Sequence, residues 1–164
     1  MTNIKLILKK TLKNNIGISF NNPIIIPFLI IVDIFDAIIR FFNKTLYLPK
    51  YSIRVRSVGL TNHFGGKGFI KNGEKILSML NSNSNLNPNS NIIEIGCGCG
   101  RTAFQLRDYL TQGKYIGLDI DKKSIDACIS NSYFYNFNFT FTHINFLNDV
   151  YNPKGSIIDD NFSY

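Results

Sequence analysis

The alternation of apolar and polar positions changes period several times along this chain, and the changes mark its parts. Over residues 1–13, Lys5, Lys9 and Lys13 fall four apart, with Ile4, Leu8 and Leu12 on an adjoining face. That is a short basic amphipathic helix pattern. A strongly apolar stretch follows, from Pro23 to Phe42. Within and just beyond it, Asp33, Asp36, Arg40 and Lys44 recur at steps of three, four and four. This spacing puts them on one helical face, with Phe28, Ile31, Phe35, Ile38 and Phe42 elsewhere around the cylinder. Residues 45–67 read as a connector, with Pro49 and a glycine-rich patch, His63-Phe-Gly-Gly-Lys-Gly68. Phe69, Ile76, Leu77 and Leu80 then predict a helix of about a dozen residues. The run from Asn81 to Ser90 is almost wholly Asn, Ser and Pro and reads as a polar surface loop.

Beyond that loop the pattern becomes regular. Ile92–Ile95 is a short apolar strand, and Arg101–Leu110 has helix period through Ala103, Leu106 and Leu110. Tyr115–Leu118 is a second strand, ending at Asp119. Lys122–Ser130 is a second helix, with Ile125 and Ile129 four apart, and Phe139–Ile144 is a third strand, ending at Asn145. Strand, helix, strand, helix, strand is one mononucleotide-binding half of a doubly wound parallel sheet. Right-handed crossovers bring the strand C-terminal ends, and with them Gly96, Asp119 and Asn145, to one edge.

Composition narrows the function classes. The 164 residues suffice for one domain, and 45% hydrophobic content with 14 Phe allows a real core. The net charge of +7 comes from dispersed lysines, with no basic block interleaved with aromatics, so no specific nucleic-acid face is indicated. Three cysteines, Cys97, Cys99 and Cys128, make no disulfide framework. With only His63 and His143 to join them, no metal site is expected. The thiols read as small turn and helix residues in a reducing, cytoplasmic compartment.

The apolar segment 23–44 is not read as a spanning helix, because two carboxylates and Pro27 interrupt it. Nor is it a signal peptide, since the apolar run starts late and no small-residue cleavage site follows. Its polar stripe fits a helix lying at a membrane surface or docked on protein, and lysines near both ends suit anionic lipid.

The candidate chemistry lies in Glu94-Ile-Gly-Cys-Gly-Cys-Gly100. Glycines let the backbone approach a ligand and turn into a helix, whose N-terminus offers free N–H groups. Asp119 lies nineteen residues after Gly100, near the offset of about 20 expected for a carboxylate that accepts ribose hydroxyl protons. The dinucleotide fingerprint fails when counted from Gly96, where Arg101 occupies the third small position. Counted from Gly98 it is met in its looser form by Gly100 and Ala103, which keeps a nicotinamide cofactor as an alternative. Glu94 argues the other way: a carboxylate there opposes a pyrophosphate and suits a ligand bearing an ammonium and a sulfonium.

Glu94–Gly100 resembles the first motif of the class I S-adenosylmethionine-dependent methyltransferases, and Tyr115-Ile-Gly-Leu-Asp-Ile-Asp121 resembles their second. Phe141–Asn148 and Tyr151–Gly155 are similar to a bacterial subgroup with an N-terminal helical extension. The resemblance implies that Asp119 binds the ribose and that Ile120 packs on adenine. It further implies that Gly96, Cys97, Gly98 and Gly100 line the methionine end, while Glu94 orients the amino group. Asn145 stands where the family has Asp, and its amide oxygen can still accept from the adenine amino group.

The resemblance implies a seven-stranded sheet, of which this sequence supplies about three strands; Ile157–Tyr164 reads as the approach to a fourth. The expectation is therefore a cofactor-binding half, truncated after its third strand, with an unpaired apolar edge and poor solubility. No catalytic base or acceptor pocket is identified. Three parts are expected: a basic and apolar helical extension at 1–48, a connector, helix and loop at 49–90, and a partial Rossmann-like domain at 91–164. Methyl transfer to an unidentified acceptor is the first reading, and a cofactor- or partner-binding remnant without chemistry is the second. Among the single residues, His143 reads as a partly buried strand residue and His63 as a surface-loop histidine. Arg101 reads either as a partner for the cofactor carboxylate or as solvent-exposed. Tyr109, Tyr133 and Tyr135 read as packing residues.

Overall fold

A computed structural model describes residues 26–59, 64–147 and 154–156. The basic pattern over 1–13, His63 and the segment 157–164 lie outside the described residues. Helices α1 (Ile26–Phe42), α2 (Tyr51–Val58) and α3 (Lys67–Asn83) precede the sheet. Strand β1 (Asn91–Ile95), helix α4 (Arg101–Leu106), strand β2 (Lys114–Asp119), helix α5 (Lys122–Ile129) and strand β3 (Phe139–His143) then follow in order. A short 3-10 turn, Ser132–Phe134, links α5 to β3.

Pro27 is the second described residue of α1, and the helix runs on without a break to Phe42. The charged stripe of this helix faces inward. Asp36 is fully buried and accepts from Arg40 Nε at 2.7 Å, from Arg54 Nη2 at 2.7 Å and from the Gly65 N–H at 2.9 Å. Arg40 also donates to the Leu48 carbonyl at 2.7 Å, and Arg54 to the Pro49 carbonyl at 2.8 Å. Asp33 receives the Ser52 hydroxyl at 2.6 Å and lies 3.3 Å from Lys50 Nζ. Lys44, the fourth member of the predicted stripe, lies past the helix end with φ of 56° and is exposed. Among the described residues, no helix is long and apolar enough to cross a membrane.

Helix α2 occupies what the sequence presents as a connector. Its Ile53-Arg-Val-Arg56 alternation has the period of a strand, and β-branched residues favour helix weakly. Tertiary bonding decides the conformation, since Arg54 must reach Asp36 and Pro49 at once. Helix α3 is longer than its apolar period suggests and takes in Asn81, Ser82 and Asn83 from the polar run. Side chains there bond back to the last-turn carbonyls: Ser82 to Ser78 at 2.9 Å, Asn83 to Met79 at 2.8 Å and Ser84 to Leu80 at 2.7 Å. These bonds add a second donor to carbonyls of the last turns, and the Ser84 N–H also returns to the Leu80 carbonyl at 3.0 Å, so the start of the polar run belongs to the helix end. Helix α4 is shorter than predicted, because its chain tightens after Leu106 and both Tyr109 and Leu110 N–H groups turn back to the Leu106 carbonyl.

The sheet has order β1-β2-β3 and is parallel throughout. Glu94 pairs in register with Gly117, and Asp119 with His143. The core against it is aromatic. Tyr115 is fully buried and stacks on Phe139 at 5.0 Å, and Phe134 packs on Phe104 at 4.6 Å. Tyr133 stacks on Tyr47 at 4.5 Å and Tyr109 donates to the Leu86 carbonyl, but Tyr135 is exposed and packs no core. In β1, Ile93 and Ile95 are exposed. The described chain is a mixed α/β unit, the N-terminal half of a Rossmann-like fold.

Candidate functional site

A cleft of about 470 Å3 opens at the C-terminal edge of the sheet. Its size falls in the ~300–1,000 Å3 range of small-molecule sites, and its position is where open parallel sheets bind ligands. Glu94, Gly96, Cys97, Gly98, Asp119 and Ile120 all line it. The sheet ladder continues into the turn, with the Gly96 and Cys97 N–H groups donating to the Leu118 carbonyl at 2.7 and 3.1 Å. This places the glycine turn against Asp119. Its Oδ2 accepts from the Gly98 N–H at 2.6 Å and its Oδ1 from the Asp121 N–H at 2.7 Å. Each oxygen keeps a further lone pair for a ligand hydroxyl.

Gly96 has φ of +79°, and a Cβ built on it would meet nothing within 4 Å, so the turn is open to the cleft at that residue. Gly98 differs: at φ of +54° its Cβ would fall 2.6 Å from Ser57 Oγ. Gly100 is buried at the start of α4 beside Cys128, a packing position and not a cleft wall. Glu94 takes a hydrogen bond from the Thr102 hydroxyl at 2.8 Å and another from the Tyr115 hydroxyl. Burial, then the Glu94 charge, pushes the Tyr115 phenol well up, so it remains a donor.

Arg101 also lines the cleft, and its Nε is buried without a hydrogen-bond partner, a position suited to an anionic ligand group. Ile144 and Phe146 line it too. Asn145, between them, donates its amide to Ser156 Oγ at 2.8 Å. His143 ends β3 half-buried, and its Nε2 has no partner.

Helix α2, in the stretch expected to be a connector, supplies a further wall of the cleft. Arg56, Ser57 and Val58 line the cleft together with Asp121. Ser57 Oγ accepts from the Cys99 N–H at 2.9 Å and lies 3.2 Å from Ser124 Oγ. Burial works to raise the Asp121 carboxyl, but hydrogen bonds from Arg56 and Ser124 and the Arg56 charge outweigh it and hold it below its ordinary value. In the sequence, this wall is marked only by the polar cluster Arg54, Arg56 and Ser57 within the connector.

The turn thiols are not poised to react. Burial, then the Asp119 and Glu94 charges, pushes Cys97 up to about 12. Burial pushes Cys99 to about 11 and raises Cys128. All three stay protonated near neutrality, and the thiolate is the nucleophilic form. Among the described residues, no three His, Cys, Asp or Glu side chains gather as metal ligands. A second cleft of about 390 Å3 lies by Leu110 and Gly113; Arg107 there is held by Asp108, the Tyr133 carbonyl and two ring faces.

No curated protein and no solved structure matches the chain. The family model for a methyltransferase domain does match, over residues 86–159, a span that begins just before β1 and takes in the glycine turn, Asp119 and the end of β3. Over residues 86–159, this chain is therefore similar to the methyltransferase-domain family.

Proposed function

We propose that the cleft binds S-adenosylmethionine and that the protein serves the transfer of its methyl group to an acceptor nucleophile. The observation that carries this reading is the meeting of Asp119 with the open turn at Gly96 in one cleft that Glu94 also lines. When bound, the cofactor supplies an electrophilic methyl group on sulfonium sulfur.

The residues divide the remaining work. Asp119 takes the ribose hydroxyls on its free lone pairs, and Ile120 gives the adenine an apolar face. The turn at Gly96, Cys97 and Gly98 admits the methionine portion closely, with its amino group directed to Glu94. Arg101 Nε, buried and unpaired, meets the methionine carboxylate. Asn145 accepts from the adenine amino group at the strand end between Ile144 and Phe146. The carboxylate of Glu94, fixed by Thr102 and Tyr115, disfavours the pyrophosphate of a dinucleotide at the same place. Methyl transfer needs positioning above all, with the reacting pair kept in line and out of water.

Titration calorimetry with S-adenosylmethionine, S-adenosylhomocysteine and NAD tests the reading. The first two are expected to bind, and Asp119→Ala to weaken both by more than about tenfold, the worth of one lost hydrogen bond to a charged group. Unchanged binding in Asp119→Ala would remove the ribose assignment, and tighter binding of NAD would replace the cofactor.

A further inference from the structure

Helix α1 is amphipathic in the inverted sense. Its charged face is turned into the protein, and its apolar face is turned out. Asp36 and Arg40 are buried, whereas Phe28, Ile31, Ile34, Ile38, Phe41 and Phe42 are between 52% and 77% exposed. At about 100° per residue, these exposed residues fill an arc of roughly 140° with no charged side chain in it. An apolar strip of this width on a helix held by buried ion pairs is a built surface, not frayed chain.

Charge identifies what this surface meets. Residues 1–73 contain eleven Lys and Arg and two acidic residues, a net of +9; residues 74–164 contain seven and nine, a net of −2. Both acidic residues of the first part, Asp33 and Asp36, are engaged inward by Ser52, Lys50, Arg40 and Arg54. Neither therefore opposes an anionic surface. Lys44 stands exposed at the end of the apolar strip. The 17 described residues of α1 are ~25 Å long, short of the ~30 Å hydrocarbon core, and their inner face is committed to α2.

We propose that α1 lies in the plane of an anionic lipid bilayer, with Phe28, Ile34, Ile38 and Phe42 in the acyl boundary and lysines at the headgroups. The inner face of α1 holds α2, and α2 supplies Arg56, Ser57 and Val58 to the cleft, so docking places the cleft one short helix away from the membrane. The proposal stands apart from the methyl-transfer reading and survives its failure.

Flotation of the full chain, synthesised in the presence of vesicles, provides the test. The chain is expected to float with vesicles of equal phosphatidylcholine and phosphatidylglycerol, and less with phosphatidylcholine alone. Ile34→Glu with Ile38→Glu, both at exposed positions, is expected to lower flotation by more than about tenfold with an unchanged far-ultraviolet spectrum. The chain has no Trp, so Phe42→Trp provides a single fluorescent reporter, expected to shift blue and to be quenched by lipids brominated on the acyl chain. Flotation retained by the double variant, or an indole reporter left unquenched in Phe42→Trp, would overturn the proposal. So would a lipid-indifferent chain that sediments as a dimer and becomes monomeric in the double variant, which would make the face a contact between copies.

Discussion

Arg56 of α2 grips both carboxylate oxygens of Asp121, Nε to Oδ2 at 2.8 Å and Nη2 to Oδ1 at 2.5 Å. Asp121 in turn gives its N–H to Asp119, the residue proposed to hold the ribose. The helix outside the family match thus sets the rotamer of a residue inside it. Arg56→Met keeps most of the apolar stem and removes the fork. We expect it to cost about 1–3 kcal/mol, the worth of charge-assisted bonds at a half-buried site. Binding of S-adenosylmethionine should weaken with it. Urea denaturation and calorimetry on the same variant check both; a stability loss with unchanged binding would confine Arg56 to folding.

The Arg40, Asp36 and Arg54 cluster makes a sharper prediction. Asp36→Ala leaves two buried guanidiniums without their common acceptor and strips the Gly65 N–H of its partner. The expected loss is about 3–5 kcal/mol. Replacing all three residues, as Asp36→Leu, Arg40→Met and Arg54→Leu, removes charge and counter-charge together and should cost far less. Denaturation midpoints of the two variants separate these cases. Equal losses would mean that hydrogen bonds to the backbone, not the unpaired charges, carry the effect.

Gly98 and Ser57 form a second coupled pair. A methyl group at Gly98 would fall 2.6 Å from Ser57 Oγ and 2.7 Å from its Cβ, and the backbone there has φ of +54°. Gly98→Ala should therefore destabilise by about 2–4 kcal/mol, from overpacking plus left-handed strain. Ser57→Gly should restore the packing part and leave the strain of about 1–2 kcal/mol. A double-mutant cycle measures this directly; strict additivity would remove the proposed contact.

The parts of the fold legible in sequence were those where local period and tertiary role agree. Ile92–Ile95 and Tyr115–Leu118 read as strands because both are short apolar runs bounded by turn residues, and both are strands. Glu94, Gly96, Gly98 and Asp119 were legible as a group, since turn chemistry and a strand-end carboxylate leave a local mark; the structure places all four on one cleft. Helix α2 was not legible. What makes Tyr51–Val58 helical is an ion pair across eighteen positions and a hydroxyl that meets Cys99 forty-two positions on. Periodicity has no access to either. The stripe Asp33, Asp36 and Arg40 was visible as a stripe, but its facing was not. A helical period fixes which residues share a face and says nothing about whether that face meets water or buried arginines.

Protonation offers a final test, with opposite signs at the two ends of the pH scale. Asp121 is held below its ordinary value in the folded chain, so its contribution to stability is present above the unfolded pKa. That contribution is lost as pH falls through the folded value, and Asp121→Asn should flatten the acid limb of stability against pH. Cys97 and Cys99 are pushed the other way, from 9.0 to about 12 and about 11. Their neutral forms are favoured by folding. That contribution is whole below pH 9 and is lost as the unfolded thiols ionise and pH climbs toward the folded values. Cys97→Ala with Cys99→Ala should therefore flatten the alkaline limb between pH 9 and 12. Tyr115, raised by burial, keeps a residual slope above 10 in that variant. Iodoacetamide at about pH 8 should leave the native thiols unmodified and label them on unfolding, because a protonated, buried sulfur lacks both the charge and the access that alkylation needs. Rapid labelling of native Cys97 would show instead that the glycine turn opens to solvent on its own, and the cleft would then be shaped by its ligand, not built before it arrives.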